Sequence, residues 1–199
     1  MKNSIKVLFS IAAISLCGMS LRAQNANTNT GIYLTEQDYR SNKLTYVLGD
    51  HDKLRLNEFL GGKNINLVYQ GKAITLPKNQ VFGYRLNNQD FRFYQNEAYS
   101  ILDTAGFVLY SREKLSPSVK GSKQEEAYFY SVNTAQPVIA LTVQNLWNSF
   151  PGQTDFRYSI QSNFSNDADL AAYDGLSKQY KIKYLFFHQK QLVAAHIVR

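Results

Sequence analysis

The sequence predicts an α+β domain: an antiparallel β meander, or a partly open barrel, covered by C-terminal helices. Three observations lead there. From Leu44 to Val132, short runs alternate aromatic or aliphatic residues with polar ones and are broken by Gly, Asn and Asp clusters, as on a half-buried pleated surface. After Leu141 the apolar spacing changes to three and four residues, as on one face of a helix. No flexible stretch separates the two zones, so both are expected to share one core.

The chain opens with the order of a secretory signal at residues 1–23. Lys2 and Lys6 precede an apolar run from Val7 to about Leu16, and small residues follow near Ala23. This run is too short to favour a stable membrane span, so no integral span is expected after cleavage. A cut after Ala23 removes Lys2, Lys6 and Arg22. The basic count then falls from 22 to 19 against 15 acidic residues, and the net charge from +7 to +4. That is ordinary surface charge and argues against nucleic acid as a partner. Cys17, the single cysteine, lies inside the signal, so the mature chain forms no disulfide. Bulky Leu16 before it opposes lipid attachment. A periplasmic or secreted protein is therefore expected ahead of an outer-membrane lipoprotein.

QNANTNTG, residues 24–31, reads as a flexible mature terminus, and residues 32–199 as one domain. A chain of this size buries roughly 70% of its extended surface without metal or disulfide staples. Thr35 is expected to begin a short helix, with Asp38 as reciprocal cap. Strands follow at LTYVL, KLRLNEF and INLVYQ, with GDHD and GGKN as turns. VFGYRL, FRFYQ, AYSIL and FVLYSR continue the meander, with NNQD as a polar turn. This register puts Phe91 and Phe93 on one face and Arg92 and Tyr94 on the other. SPSVKGSKQEE reads as an interior loop, EAYFYSV as a strand, and PVIAL as a short one.

TVQNLWNSF predicts a helix with Val143, Leu146, Trp147 and Phe150 on one face, stopped by Pro151 and Gly152. NDADLAAYDGLSKQYKIKYLFF predicts a second helix. Asn166 caps it, Asp167 and Asp169 sit at its positive end, and Leu170, Tyr173, Leu176 and Tyr180 form its stripe. IKYLFFHQKQLVAAHIV could continue it or form a final strand, and a helix is preferred because a late helical layer can cover the exposed side of the sheet.

Local chemistry is sparse. Asp50, His51 and Asp52 cluster at a turn, yet consecutive residues do not converge on one centre and no His or Cys completes a zinc set. His188 and His196 differ by about 80 degrees around a regular helix. No metal or cofactor is expected. No serine sits in a G-x-S-x-G turn, and Glu125 with Glu126, or Asp167 with Asp169, are explained by a loop and a helix start. No catalytic residue is assigned. The strongest candidate for ligand binding is the basic aromatic group Tyr84, Arg85, Arg92, Tyr94 and Tyr99, whose rings suit sugars or peptides and whose guanidiniums suit carboxylates. Sheet packing competes with that reading. Trp147 and Phe150 are candidates for a partner groove, again against a core role.

GIYLTEQDYRSNKL, VFGYRLNNQDFRFY, AYSIL and the later LTVQNLWNSF to DLAAYDGLSKQYKI resemble uncharacterised secreted proteins of Bacteroidetes-type bacteria over most of the mature chain. The resemblance implies export and an envelope setting and supplies no catalytic residue. The expected role is an extracytoplasmic structural or interaction module, with an envelope protein or glycan as partner. The alternative is a secreted hydrolase or carbohydrate-active enzyme with a dispersed site.

Overall fold

The computed structural model describes residues 30–57, 62–118 and 121–188. The signal-like segment 1–23, most of the terminal segment 24–31, and His196 lie outside the described residues. In chain order the elements are β1 (Thr30–Tyr33), α1 (Glu36–Arg40), β2 (Tyr46–Leu48), β3 (Lys53–Arg55), β4 (Asn64–Tyr69) and β5 (Lys72–Pro77). Then come β6 (Gly83–Leu86), β7 (Gln89–Tyr94), β8 (Glu97–Asp103), β9 (Val108–Ser118), β10 (Gly121–Ser131) and β11 (Ile139–Ala140). The C-terminal part holds α2 (Val143–Ser149), α3 (Thr154–Asn163), the hairpin β12 (Tyr173–Asp174) and β13 (Gln179–Tyr180), and α4 (181–188).

Eight strands form one antiparallel sheet in the order β11-β10-β9-β8-β7-β6-β1-β2. From β6 to β11 it is a plain meander. Its edges β2 and β11 are not paired to each other, so the sheet is open. β3, β4 and β5 form a separate three-stranded ribbon. Two-residue turns drive this topology. Gln70 and Gly71 (φ 50° and 76°), Asn87 and Asn88 (51° and 64°), and Gln95 and Asn96 (51° and 66°) all take positive φ, as type I′ hairpins demand. Gly83 is required for another reason: a Cβ there would lie 1.9 Å from the Phe91 carbonyl oxygen. No larger residue fits between β6 and β7.

The main sheet has a back face and a front face. One half of the back face packs on the ribbon through Ile32, Ile65, Val81, Tyr84 and Phe93. The other half packs on the C-terminal helices through Leu109, Tyr130, Leu146, Phe156, Ile160 and Ile182. Rings from several elements meet there, with Phe107, Phe150, Phe156 and Phe186 within 5.0 to 6.3 Å of one another. The front face carries Tyr99, Ile101, Val108 and Tyr110, covered by α1 and the 132–138 loop through Tyr39 and Val138. Both reciprocal bonds of the Thr35/Asp38 capping box form, so α1 holds its start despite having five residues.

Several expectations are corrected. β1 begins at Thr30, so Thr30 and Gly31 belong to the sheet. The polar stretch after Ser111 is the double arm of β9 and β10, registered from Val108 and Ser131 to Ser118 and Gly121. Backbone ladders pair polar residues as readily as apolar ones. GDHD links the two sheets instead of closing a hairpin, because β2 and β3 lie in different sheets. The Asp52 carboxylate organises that link, accepting from the Gly49 and Gln70 amides at 3.0 and 2.8 Å.

The second predicted helix is also broken. Asn166 caps only a 3₁₀ turn, Asp167–Ala171. Asp174 then accepts from Leu176 N and Ser177 Oγ, both at 2.9 Å, which offers the backbone a turn in place of a helix. Leu176, placed on the predicted stripe, is 97% exposed at the hairpin tip. Helix resumes only at α4.

Candidate functional site

The front face opens beside α1 into a cleft of about 500 Å³, lined by Tyr39, Arg40, Arg85, Asp90, Thr104 and Thr134 among others. Its geometry follows from hairpin register. The two-residue turn at Asn87 and Asn88 sets Arg85 directly opposite Asp90. The guanidinium then makes a bidentate pair with the carboxylate, at 2.7 and 2.8 Å. Tyr33 on β1 donates its hydroxyl to the same carboxylate at 3.2 Å, and the Arg85 guanidinium lies 5.6 Å from the Tyr33 ring. Across the cleft, Arg40 pairs with Glu36 one helical turn back at 2.6 Å and donates to Thr134 Oγ1 at 3.1 Å. The Thr134 hydroxyl donates to Glu36. This triad ties α1 to the 132–138 loop.

Every resolved shift in the cleft moves a group away from neutrality. The Thr134 hydrogen bond holds Glu36 below the usual carboxylate range. Burial pushes Tyr33 up, and pushes Tyr39 up to about 12. The bond to Asp90 raises Arg85. At neutral pH this carboxylate, these phenols and this guanidinium keep one protonation state.

Of the residues predicted for ligand binding, Arg85 lines the cleft; the five do not form one surface. Tyr84 points to the back face, where it is 2% exposed and stacked on Phe91 at 4.6 Å. Arg92 is buried between the rings of Phe82, Tyr94 and Tyr110, at 5.7 to 5.9 Å. It donates to Tyr110 Oη at 3.0 Å, Ser131 Oγ at 3.4 Å and the Gln136 carbonyl at 3.0 Å, pinning the loop to the sheet. Tyr94 is half-buried as one wall of that cage. Tyr99 is buried beneath the Arg112 guanidinium, 5.2 Å away. Adjacent strand residues alternate faces, which separates Tyr84 from the rest.

The two partner-groove residues also part. Phe150 belongs to the aromatic core. Trp147 is half-buried, with Arg157 3.8 Å over its ring and exposed Tyr158 edge-on at 5.5 Å. Among the described residues no three His, Cys, Asp or Glu side chains gather as a metal set. His188 stacks on Tyr184 at 4.3 Å.

Sequence reasoning missed Asp90, Tyr33, Tyr39 and the Glu36, Arg40, Thr134 triad. Asp90 was findable: a two-residue turn at Asn87–Asn88 makes Arg85 and Asp90 partners by counting outward. Thr134 and Glu36 lie 98 positions apart, and nothing local links them.

Sequence reasoning also missed Lys183. It is 1% exposed on α4, and its amine donates to the Ala105 carbonyl at 2.8 Å and to the Phe107 carbonyl, with Asp103 at 3.6 Å. Burial lowers it to about 8, against the pull of Asp103. The amine is closed in by carbonyls and by the Phe107 ring at 3.8 Å, so it holds the 103–107 loop to α4 and meets no substrate.

Comparison with protein-family models, with curated proteins and with solved structures yields no match.

Proposed function

We propose that this chain is an extracytoplasmic interaction module of a bacterial envelope, exported by its first 23 residues. It would engage an envelope protein or glycan at the front cleft without chemical turnover. The observation that carries this reading is the geometry of the cleft: about 500 Å³ of open space bordered by Arg85, Asp90, Arg40 and Thr134, each fixed in place by hydrogen bonds. The order of residues 1–23 supports export, and the resemblance to secreted Bacteroidetes-type proteins supports an envelope setting.

A photo-crosslinking residue at exposed Asn133, on the cleft mouth, tests it in intact cells. The expected result is a chain whose mass begins after Ala23, carrying an adduct to one envelope component. That adduct should be lost when Arg85→Ala removes the guanidinium. An intact Met1 chain in the cytosol, or an adduct insensitive to Arg85→Ala, overturns the proposal.

A further inference from the structure

The back face carries a second opening, on the side of the sheet away from the front cleft. The ribbon covers one half of that face and the C-terminal helices the other. Beside the ribbon, across β6 to β10, lies a groove of about 600 Å³, within the size range of small-molecule sites.

One cross-strand row passes through it. Tyr84 on β6 registers with Phe91 on β7, Phe91 with Ser100 on β8, Ser100 with Ser111 on β9, and Ser111 with Tyr128 on β10. A row that is aromatic on either side becomes serine where the covers end.

Those serines are not explained by the fold. Ser111 is 5% exposed and lines the groove, yet its hydroxyl makes no hydrogen bond to any described residue, and neither does that of Ser100. Both hydroxyls open onto the groove, where a ligand's hydroxyls can replace water as their partners.

One step along the strands, Glu113 and Glu126 stand directly opposite each other in register. Like charges in that position are destabilising. Neither has an ion pair among the described residues; Glu113 accepts from Gln124, and Glu126 accepts from the Tyr128 hydroxyl at 2.8 Å. Glu97 and Arg112 also border the groove, but their side chains lie toward the front face, where they pair with each other at 3.2 Å. The opposite wall is apolar, with half-buried Phe91 and Leu56 and exposed Leu86.

We infer that this groove binds a neutral oligosaccharide. A pyranose presents both surfaces the groove asks for: a C–H face for Phe91 and the leucines, and hydroxyls that donate to Glu113 and Glu126 and exchange hydrogen bonds with Ser100 and Ser111. Two carboxylates facing each other in register disfavour acidic sugars. The groove is separate from the front cleft, and this inference stands whether or not the cleft binds a partner.

Calorimetric titration of the purified chain with chitotetraose, cellotetraose, tetragalacturonate and Ca²⁺ alone tests it. At least one neutral tetramer is expected to bind, and tetragalacturonate is not. Ser111→Val should weaken that binding about tenfold, the loss expected for one hydrogen bond in a desolvated site. Glu126→Gln, an exposed change that leaves the core intact, should weaken it by a smaller factor and supplies the answer should the valine variant misfold. The inference is overturned if no neutral tetramer binds, if Ca²⁺ alone saturates the groove, if tetragalacturonate binds as well as the neutral tetramers, or if Glu126→Gln binds like the parent chain.

Discussion

The two faces of the main sheet treat buried polar groups in opposite ways. On the front face Arg92, Tyr110 and Ser131 form a closed relay: Arg92 donates to Tyr110, Tyr110 reaches Ser131 at 2.9 Å, and Ser131 donates to the Asn133 carbonyl at 2.7 Å. Because Ser131 spends its one proton on Asn133, Tyr110 must be the donor to Ser131. On the back face Ser100 and Ser111 have no hydrogen-bond partner among the described residues. A satisfied network explains itself as architecture, since each member stabilises the next. Hydroxyls that open onto a groove without protein partners are available to a ligand. Exposure alone would rank the faces differently: Ser111 at 5% is nearly as buried as Ser131 at 1%.

The largest test of this contrast is Arg92→Ala. It removes the head of the relay and leaves the Gln136 carbonyl without its donor inside the aromatic cage. The expected loss is about 4 kcal/mol of unfolding free energy, from the cavity left among the rings and the neutral acceptors that lose their donor. Denaturant unfolding followed by tyrosine fluorescence reads it. A loss below about 1 kcal/mol would mean that the relay is not holding the 132–138 loop.

How much of this was legible in the sequence follows the range of the interactions. The meander was legible because type I′ turns and period-two patterning act within ten or so residues. FRFYQ places Phe91 and Arg92 on opposite faces as alternation requires, and Thr35 caps α1 as its spacing to Asp38 implies. The helix expected after Asn166 failed because the Asp174 side chain competes locally for backbone amides that a hydrophobic stripe ignores. The ten-residue α3 went unpredicted: its buried Phe156 and Ile160 are separated by mostly polar residues, a weak stripe. The front cleft and the back groove were illegible. Both depend on which strands become neighbours, and on where two separate covers happen to stop.

Lys183 gives a second, somewhat smaller test, because it is another buried cation and, unlike Arg92, can shed its charge. Its amine titrates near 8 in the folded chain against an ordinary lysine value of 10.5. Between those pH values the unfolded chain binds more protons than the folded one, so the contribution of Lys183 to stability rises with pH. Below pH 8 the full cost of burying the ammonium is already present, and the contribution is flat. The stability difference between the parent chain and Lys183→Met should therefore shift in favour of the parent by about 3 kcal/mol from pH 8 to 10.5. Comparison with the methionine variant cancels the tyrosines, which titrate in the same region. A flat difference would show that the two carbonyls and Asp103 hold the ammonium as well as water does.

The smallest effect is the most discriminating, because the same chemical change is made on both faces. Ser131→Ala removes a hydroxyl that receives from Tyr110 and donates to Asn133, so it should cost about 1.5 kcal/mol through the partners left unpaired. Ser111→Ala removes a hydroxyl with no protein partner, and the expected change is within about 0.5 kcal/mol of zero. Denaturation midpoints of the two variants, compared at constant m-value, give the difference directly. Equal losses at both positions would mean that Ser111 is held by the fold after all, and the case for a ligand on the back face would lose its main support. Unequal losses, with Ser111→Ala near zero, would leave a hydroxyl on the groove wall that does nothing for stability and is free to serve a ligand.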